Sequence, residues 1–294
     1  MKVAVFWSKY SDEHKTVLPY PEIPDRTRVI DEYLRKMLPD IIFVHIDEPI
    51  NIDHLKHVHR KQHIPHGDVD TPFQDNGSKK AALYAAGTVC AAVLDERYDR
   101  IFCNIRPPGH HANCKSASGF CLYNNIWLGR MCIPKKRVAI VDWDVHHGDG
   151  TQSFIFGNTH LPTYFVSIHQ DYKTIFPFKK SGRNRYKQIG NSIVRCHNIS
   201  PSEGDERVKE FFNTILIPEL IAWKPEMILI SCGFDAHKND SISQLEYSSE
   251  LYGWMTSQLT NIPNSRIVSV LEGGYNLKSI QESVFHHVNA FKNN

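Results

Sequence analysis

The sequence has no long apolar run and no strong charge of one sign, and each absence argues against a class of protein. No apolar stretch approaches the roughly 20 residues that a membrane-spanning helix needs. The 34 basic and 32 acidic side chains leave a formal net charge of +2, which gives no reason to expect a nucleic-acid or membrane partner. Residues 1–6 are typical of a strand and not of a signal peptide, so we expect no secretory leader.

The sequence also lacks any Cys-x-x-Cys pair. Its seven cysteines are odd in number, and several lie in apolar segments. This pattern is typical of reduced, buried thiols in a cytosolic protein and not of a disulfide framework. We therefore expect a cytoplasmic location, and a nuclear one stays open if the source is eukaryotic.

What the sequence does contain is an alternation of apolar runs and helical patterns. Several runs are continuously apolar, which is typical of parallel strands covered on both faces. Helical patterns at residues 25–38, 78–94, 205–223, 244–259 and 277–291 lie between most of them, and Pro218 should kink the third. We predict an α/β fold, with one domain over residues 1–294 and an eight-stranded, mostly parallel sheet between helical layers. The eight predicted strands are residues 2–7, 40–45, 100–105, 137–144, 163–169, 192–199, 227–234 and 266–272.

Metal-binding side chains occupy alternate positions at the end of the fourth predicted strand. Asp142, Asp144 and His146 are spaced by two, and alternate side chains of an extended chain point to the same side. Asp235 follows the seventh predicted strand, and the carboxyl ends of parallel strands meet at one edge of the sheet. We predict that Asp144, His146 and Asp235 bind one zinc ion and leave a position open for water and substrate. Because this set is rich in oxygen, iron(II), cobalt and manganese stay open.

A structural role is the alternative for these carboxylates. An aspartate at a strand end is usually a helix cap or a turn former, and this interpretation fits Asp235 taken alone. It fits Asp142 and Asp144 poorly, because two carboxylates in an apolar strand would repel each other without a cation. A two-metal site would need further carboxylates, but a glycine and a histidine stand two positions beyond His146 and Asp235. We therefore predict a single catalytic metal.

Acid–base groups precede and follow these ligands. His110 and His111 follow a Pro-Pro-Gly turn, and each needs a carboxylate to orient its imidazole. We pair Asp142 with His110 and Asp149 with His111, so that the two histidines can transfer protons to and from a reacting group. Tyr275 follows two glycines, which let its loop approach a pocket closely, and its hydroxyl can stabilise an oxyanion. Such a set suits hydrolysis of an amide bond.

Two loop aromatics and a histidine-rich segment are less specific. Phe120 and Phe176 can form a slot for an extended methylene chain, and core packing is the alternative. We do not predict a metal site in the histidine-rich segment, because no carboxylate or cysteine spacing there supports one. Its five histidines are His54, His57, His59, His63 and His66.

Taken together, these segments resemble the zinc-dependent histone deacetylase superfamily, which includes acetylpolyamine amidohydrolases and has the arginase-type α/β fold. The Arg-Pro-Pro-Gly-His-His and Glu-Gly-Gly-Tyr forms look like its class II branch and bacterial relatives. The resemblance runs from about residue 21 to the end. Its matching segments are residues 106–112, 119–121, 142–150, 167–169, 231–235 and 272–276.

The resemblance implies a role for each matching residue. It implies zinc at Asp144, His146 and Asp235, with Tyr275 polarising the acyl carbonyl. It also implies a potassium ion at Asp142, Asp144, the backbone at His146, Ser167 and the Ile168 carbonyl. The expected substrate tunnel comprises Gly119, Phe120, Phe176 and Ile242.

The substrate class follows less directly. We expect deacetylation of N-acetyllysine in a protein or peptide, with an acetylpolyamine as the alternative and a non-catalytic acyl-lysine binding module as a third hypothesis. Ile242 stands where polyamine-specific members of one branch have a glutamate, which weakens the polyamine alternative. Acidic side chains at Asp68, Asp70 and Asp75 could nevertheless meet a cationic substrate. Residues 190–201 are shorter than the family pattern, and we expect a monomer more than a large oligomer.

Overall fold

A computed structural model describes residues 1–15, 20–60, 71 and 75–293 of the chain. Within these residues, nine strands form one sheet in the order β2-β1-β3-β9-β8-β4-β5-β7-β6. All neighbouring strands are parallel except the β6–β7 pair. The predicted class, an α/β protein with a mostly parallel sheet, is confirmed. The strands are β1 Val3–Trp7, β2 Ile42–His45, β3 Arg100–Asn104, β4 Val138–Asp142, β5 Thr163–Gln170, β6 Arg185–Ile189, β7 Ser192–Ile199, β8 Met227–Cys232 and β9 Arg266–Leu271.

The sheet has nine strands where the sequence predicted eight. The additional strand, β6, pairs with β7 through a short turn in which Gly190 has a φ of +55°. It lies at the edge of the sheet, and its sequence Arg-Tyr-Lys-Gln-Ile is largely exposed. The strands were predicted from apolar runs that are typical of burial on both faces. A polar, antiparallel edge strand has no such run, so it was not predicted.

Helices cover both faces of the sheet. The predicted helices lie where expected, although the fourth begins at Ser249, where the Ser248 hydroxyl caps it by accepting a hydrogen bond from the Leu251 N–H. Before Pro218 the helix passes through a π-helical segment, Phe212–Leu216, and Pro218 stands in the first turn of the helix that follows it. The helices are α1 Asp25–Met37, α2 Ile52–Val58, α3 Asp75–Leu94, α4 Asn125–Met131, α5 Asp149–Gly157, α6 Asp205–Phe211, α7 Ile217–Trp223, α8 Ser249–Thr260 and α9 Leu277–Asn293.

Two hydrophobic cores lie on opposite faces of the sheet. Alternate residues of β4 enter different cores: Ala139 and Val141 join the first, and Val138 and Ile140 join the second. The first core is closed mainly by α1 and α6–α9, and the second by α2–α5. Burial on both faces is the physical reason for the continuous apolar runs in the sequence. No helix among the described residues is both long and apolar enough to cross a bilayer.

The strand order determines which loops meet. Strands β3, β9, β8 and β4 are consecutive neighbours at the centre of the sheet. The loops that follow them carry the histidine pair, Tyr275, Asp235 and the Asp144–His146 segment, respectively. Because these strands are parallel, all four loops leave the same edge of the sheet. The fold therefore brings the predicted chemical groups to one place.

Candidate metal centre and active site

Three side chains at the carboxyl edge of the sheet form a compact donor cluster. One donor atom each from Asp144, His146 and Asp235 lies within 4.8 Å of the other two. His146 Nδ1 lies 2.9 Å from Asp144 Oδ1 and 3.2 Å from Asp235 Oδ2. All three residues are buried. The structure thus brings together the three residues that the sequence predicts as metal ligands.

Backbone groups aim the two carboxylates of this cluster. Asp144 Oδ2 accepts a hydrogen bond of 2.8 Å from the Gly273 N–H, and Asp235 Oδ1 accepts one of 3.0 Å from the Val145 N–H. A Cβ at Gly273 would lie 2.0 Å from Asp235 Oδ2, too close for any side chain. The glycine that follows Glu272 therefore lets the β9 loop pass directly over the carboxylates.

The electrostatics of the cluster fit a bound cation. Within the described part of the chain, the buried Asp235 Oδ2 has no hydrogen-bond partner, although His146 Nδ1 is nearby. Burial and the neighbouring Asp144 charge raise the pKa of Asp235 to about 6. Burial lowers the pKa of His146, but the Asp144 and Asp235 carboxylates outweigh it and raise that pKa to about 9. Two carboxylates and one imidazole that converge in this way suit a divalent metal such as zinc, with three protein ligands and a position left open.

The tandem histidines lie against this cluster, each with its own carboxylate. His110 Nδ1 lies 3.1 Å from Asp142 Oδ2, and His111 Nδ1 lies 2.7 Å from Asp149 Oδ1. The centroids of the two imidazole rings are 4.0 Å apart. These are the pairs expected from the sequence. The other ring nitrogen of His110, Nε2, lies 3.6 Å from Asp144 Oδ1 of the donor cluster.

The two histidines have opposite pKa shifts. Burial lowers the pKa of His110, but the charges of Asp144 and Asp142 outweigh it and place that pKa well above its ordinary value. Burial and the positive charge of His110 lower the pKa of His111 to about 4. One ring therefore keeps its charge, while the other is neutral near pH 7 and able to accept a proton.

Glu272 is a buried carboxylate whose role the sequence did not predict. Its Oε2 accepts hydrogen bonds of 2.6 Å from the Gly109 N–H and 3.1 Å from the His110 N–H. The Ser231 hydroxyl donates to its Oε1. Burial raises the pKa of Glu272 to about 7. Glu272 thus fixes the backbone of the histidine loop from the end of a neighbouring strand. Its position directly after an apolar strand is the sequence feature that could have indicated this role.

Tyr275 is positioned by two further residues that the sequence did not identify. Its backbone N–H donates to Asp240 Oδ2 at 2.6 Å, and the Arg26 guanidinium lies 4.8 Å from the centre of its ring. Arg26 Nε also donates to the Gly274 carbonyl at 2.6 Å. Burial raises the pKa of Tyr275 well above its ordinary value, so the hydroxyl stays protonated. Asp240 and Arg26 lie far from Tyr275 in sequence, and only the fold makes them its partners.

A narrow cavity of about 160 Å³ reaches this group of residues. The predicted tunnel residues Gly119, Phe120, Phe176 and Ile242 all line it. The Phe120 ring lies 5.7 Å from the Tyr275 ring, and the Phe176 ring lies 5.0 Å from that of His111. The other lining residues are Pro108, His110, His111, Cys121, His146, Gly273 and Tyr275.

The residues predicted to bind potassium are neighbours in the sheet. Asp142 and Ser167 are register partners on β4 and β5, and both are fully buried. The Asp144 N–H donates to Asp142 Oδ1 at 3.2 Å. Ile168 is buried beside Ser167 on the same strand, and the His146 N–H donates to Asp144 Oδ1. The potassium site itself stays a prediction.

Two other sequence features have separate outcomes. Asp68, Asp70, His63 and His66 lie outside the described residues. His59 is buried and structural: its Nε2 accepts a hydrogen bond of 3.0 Å from the Asn124 N–H, and its Nδ1 lies 3.0 Å from the Asn113 carbonyl oxygen. The structure thus places His59 in the packing of a loop and not at the donor cluster.

Comparison with known proteins adds independent observations. A family model described as a histone deacetylase domain matches residues 20–291. Histone deacetylase 18 of Arabidopsis thaliana is 33% identical over 89% of this chain and 43% of its own length. Histone deacetylase 6 of Caenorhabditis elegans is 28% identical over 96% of this chain and 33% of its own length. The chain therefore spans less than half the length of these relatives.

A solved structure has the same architecture. The crystal structure of the HDA15 HD domain superimposes with a TM-score of 0.87 and 28% sequence identity. The match covers 99% of this chain and 91% of that one. The arrangement of strands and helices is thus shared over nearly the whole length of both chains.

Proposed function

Because the chain belongs to the histone deacetylase family, we propose that it is a zinc-dependent hydrolase that removes the acetyl group from N-acetyllysine in a protein or peptide. One observation carries the proposal: the Asp144, His146 and Asp235 donors lie within 4.8 Å of one another beside a cavity that also holds the histidine pair and Tyr275. One proposed ligand, His146, thus lines the same pocket as the proposed proton-transfer groups and the proposed oxyanion donor.

The metal would be held by Asp144, His146 and Asp235. When bound, it supplies Lewis acidity, which polarises an acyl carbonyl and makes a nearby water easier to deprotonate. The unpartnered oxygen of Asp235 supports this role for the cluster. Iron(II), cobalt and manganese are the alternatives that the same oxygen-rich set would accept.

The histidine pair moves the protons. His111 is neutral near pH 7, and Asp149 holds its Nδ1, so its Nε2 can take a proton from the attacking water. The same nitrogen then gives the proton to the departing lysine amine. His110 lies beside it with its Nδ1 held by Asp142 at 3.1 Å, and its imidazole is the second proton-transfer group of the pair.

Tyr275 orients and stabilises the acyl oxygen. Its raised pKa keeps the phenolic proton in place, so the hydroxyl donates a hydrogen bond to the carbonyl oxygen as negative charge develops there. Asp240 and Arg26 fix the loop and the ring. Some members of the zinc-dependent histone deacetylase superfamily carry a histidine at this position and are weak deacetylases. The tyrosine of this chain therefore supports an active enzyme.

The cavity favours acetyllysine over an acetylpolyamine. Its volume of about 160 Å³ is below the range of about 300–1,000 Å³ that is usual for small-molecule pockets, and it suits a slender methylene chain. Phe120, Phe176 and Ile242 give it apolar walls, and no carboxylate lines it among the described residues. An acetylated polyamine would bring its free, cationic amine to this pocket, where the described lining residues offer it no carboxylate.

Potassium is a further part of the proposal. Asp142, Asp144, the backbone at His146, Ser167 and the Ile168 carbonyl would bind it behind the catalytic cluster. The burial of Asp142 and Ser167 as register partners supports this assignment. Such an ion would offset part of the carboxylate charge at this edge of the sheet.

A side-by-side assay tests the proposal. The purified protein, stripped of metal and reloaded with zinc, is given an acetyllysine peptide and acetylputrescine at equal concentration. We expect zinc-dependent release of acetate, with the larger kcat/KM on the peptide. A larger kcat/KM on acetylputrescine would contradict the acetyllysine proposal and favour an acetylpolyamine substrate. A fully zinc-loaded protein without activity on any acyl-amide would overturn the hydrolase proposal.

A further inference from the structure

We propose that His54, Cys90 and Cys132 form a second metal site, which binds one soft divalent cation such as Zn²⁺ through two thiolates and one imidazole. The three residues come from α2, from α3 and from the end of α4, in the helical layer over the second core. None of them lines the substrate cavity as the described residues define it. This site is independent of the proposed deacetylase activity.

The spacing of the donors fits one ion. One donor atom from each of the three residues lies within 4.8 Å of the other two. Cys132 Sγ lies 3.8 Å from His54 Nε2, and the Cys90 and Cys132 thiols are within hydrogen-bonding reach of each other. In a tetrahedral zinc site with ordinary bond lengths, a sulfur and a nitrogen ligand lie roughly 3.6 Å apart. A small adjustment of these side chains therefore suffices to enclose a metal.

Local contacts hold two of the donors in position. Asn51 caps α2 by accepting hydrogen bonds from the Asp53 and His54 N–H groups, which fixes the start of that helix. His54 Nε2 lies 3.0 Å from the Leu128 carbonyl oxygen, and the Cys132 thiol donates to the same oxygen at 3.5 Å. Both side chains therefore converge on the last turn of α4, and a metal bound at His54 Nε2 would replace the hydrogen bond of that nitrogen to the Leu128 carbonyl.

Charge balance favours a dication at this position. Its binding would release the two thiol protons and any proton on His54. Two thiolates and a dication sum to zero charge, which a half-buried position tolerates better than separate thiolates.

The donor chemistry defines the ion. Thiolate ligands select soft or borderline ions such as Zn²⁺, Cd²⁺ and Co²⁺, while Mg²⁺ and Ca²⁺ prefer oxygen. Three protein ligands and a half-exposed setting leave room for a water molecule at a fourth position. The sequence did not indicate this site, because His54 has no cysteine near it along the chain and stands 78 positions from Cys132.

Cobalt titration tests the site, because thiolate-to-cobalt charge transfer gives a near-ultraviolet band that the Asp144, His146 and Asp235 ligands cannot produce. Reduced, metal-free protein is titrated with Co²⁺. We expect the band to saturate once about two equivalents are bound, one of them at the Asp144, His146 and Asp235 cluster. It should disappear in Cys90→Ser and Cys132→Ser and persist in Cys114→Ser. Cys114 is a matched control, since it is also half-buried but lies outside the cluster. Excess Zn²⁺ should remove the band.

A second measurement needs no variant. One equivalent of Zn²⁺ beyond that needed for full activity should slow alkylation of Cys90 and Cys132 at least tenfold and leave Cys114 unchanged, as read by mass spectrometry. Three results would overturn the proposal: no charge-transfer band in reduced, folded protein; a band that survives in both Cys90→Ser and Cys132→Ser; or alkylation of Cys90 and Cys132 that Zn²⁺ does not slow. A band lost only in Cys121→Ser would place the thiolate ligand at the buried cysteine of the substrate cavity and would equally refute the site.

Discussion

Two of the three clusters of potential metal ligands among the described residues differ in nearly everything except the number of side chains that they offer. The strand-end cluster of Asp144, His146 and Asp235 is fully buried and provides two carboxylates. The helix-layer cluster of His54, Cys90 and Cys132 is half-buried and provides two thiols. The first lies beside a cavity that the histidine pair and Tyr275 also line, and none of the residues of the second lines that cavity. Surroundings, more than the count of ligands, separate a catalytic site from a binding site.

The two clusters also differ in how they are held. Carboxylates at the strand ends are fixed by backbone N–H groups from Val145 and Gly273, and an oxygen of Asp235 still has no hydrogen-bond partner in the described part of the chain. Such a buried charge is costly without a cation. The thiols of the helix layer bear no comparable cost, because thiols can remain neutral when no ion is bound. We therefore expect loss of metal to affect the strand-end cluster more severely.

The largest effect should come from removing a ligand in each cluster. Mutating a residue that only hydrogen-bonds to a metal ligand typically costs roughly 10- to 100-fold in activity. Asp235→Ala removes a proposed ligand itself, so it should lower the deacetylation rate by more than this and lower the zinc content by one equivalent. Cys90→Ser, the matched change in the other cluster, should leave activity near that of the wild type. Elemental analysis and turnover, measured on the same preparations, check both. Equal loss of activity in the two variants would break the comparison.

Tyr275→Phe should separate catalysis from metal binding within the strand-end region. Loss of the hydroxyl should lower kcat by roughly 100- to 1,000-fold, as for other single oxyanion donors. Zinc content should stay unchanged, since Tyr275 contributes none of the three proposed ligands. Steady-state kinetics with elemental analysis tests this, and unchanged kcat would remove Tyr275 from the mechanism.

Asp149→Asn should have a smaller effect. It replaces the carboxylate that orients His111 at 2.7 Å, so turnover should fall by roughly 10- to 100-fold with metal retained. Lys179, which pairs with the other oxygen of Asp149, offers a control. Because the Lys179 side chain is half exposed, Lys179→Met should change turnover little. If both variants lost activity equally, the ion pair and not the histidine contact would be the important feature.

The smallest effect concerns two imidazoles in different surroundings. Burial lowers the pKa of His287 to about 3, whereas the hydrogen bond with Cys132 raises that of half-buried His54. Between pH 6.5 and 3, the unfolded chain binds a proton at His287 that the folded chain does not. Folding stability should therefore fall on acidification by at most about 1.4 kcal/mol per pH unit from this residue.

Denaturant unfolding at a series of pH values checks these signs. The stability difference between wild type and His287→Asn should shrink as the pH falls from 6.5 to 4. The difference between wild type and His54→Asn should instead shrink as the pH rises above 6.5, because a raised folded-state pKa contributes stability that is fully present only below the unfolded pKa. The same sign for both residues would contradict the contrast between a buried and a half-buried imidazole.

The sequence allowed prediction of the groups that local spacing defines. Asp142, Asp144 and His146 lie within one strand and its loop, so the period of two sufficed to place them together. Asp235, the histidine pair and Tyr275 followed from the rule that parallel strands deliver their loops to one edge. The apolar runs likewise indicated the sheet, but the polar edge strand β6 had no such signal.

Residues that act across long sequence separations were not predictable. Glu272 supports the His110 loop from 162 positions away, and Arg26 reaches the Gly274 carbonyl from 248 positions away. Cys90 and Cys132 approach His54 only because three helices pack together over the second core. Such pairings depend on tertiary packing, which no local pattern encodes.

Anomalous X-ray scattering at the zinc edge, from crystals of active protein, tests the central assignment most directly. We expect a strong anomalous peak bounded by Asp144, His146 and Asp235, at roughly 2.0–2.2 Å from their donor atoms. An active preparation whose crystals show no metal between these three side chains would contradict the assignment.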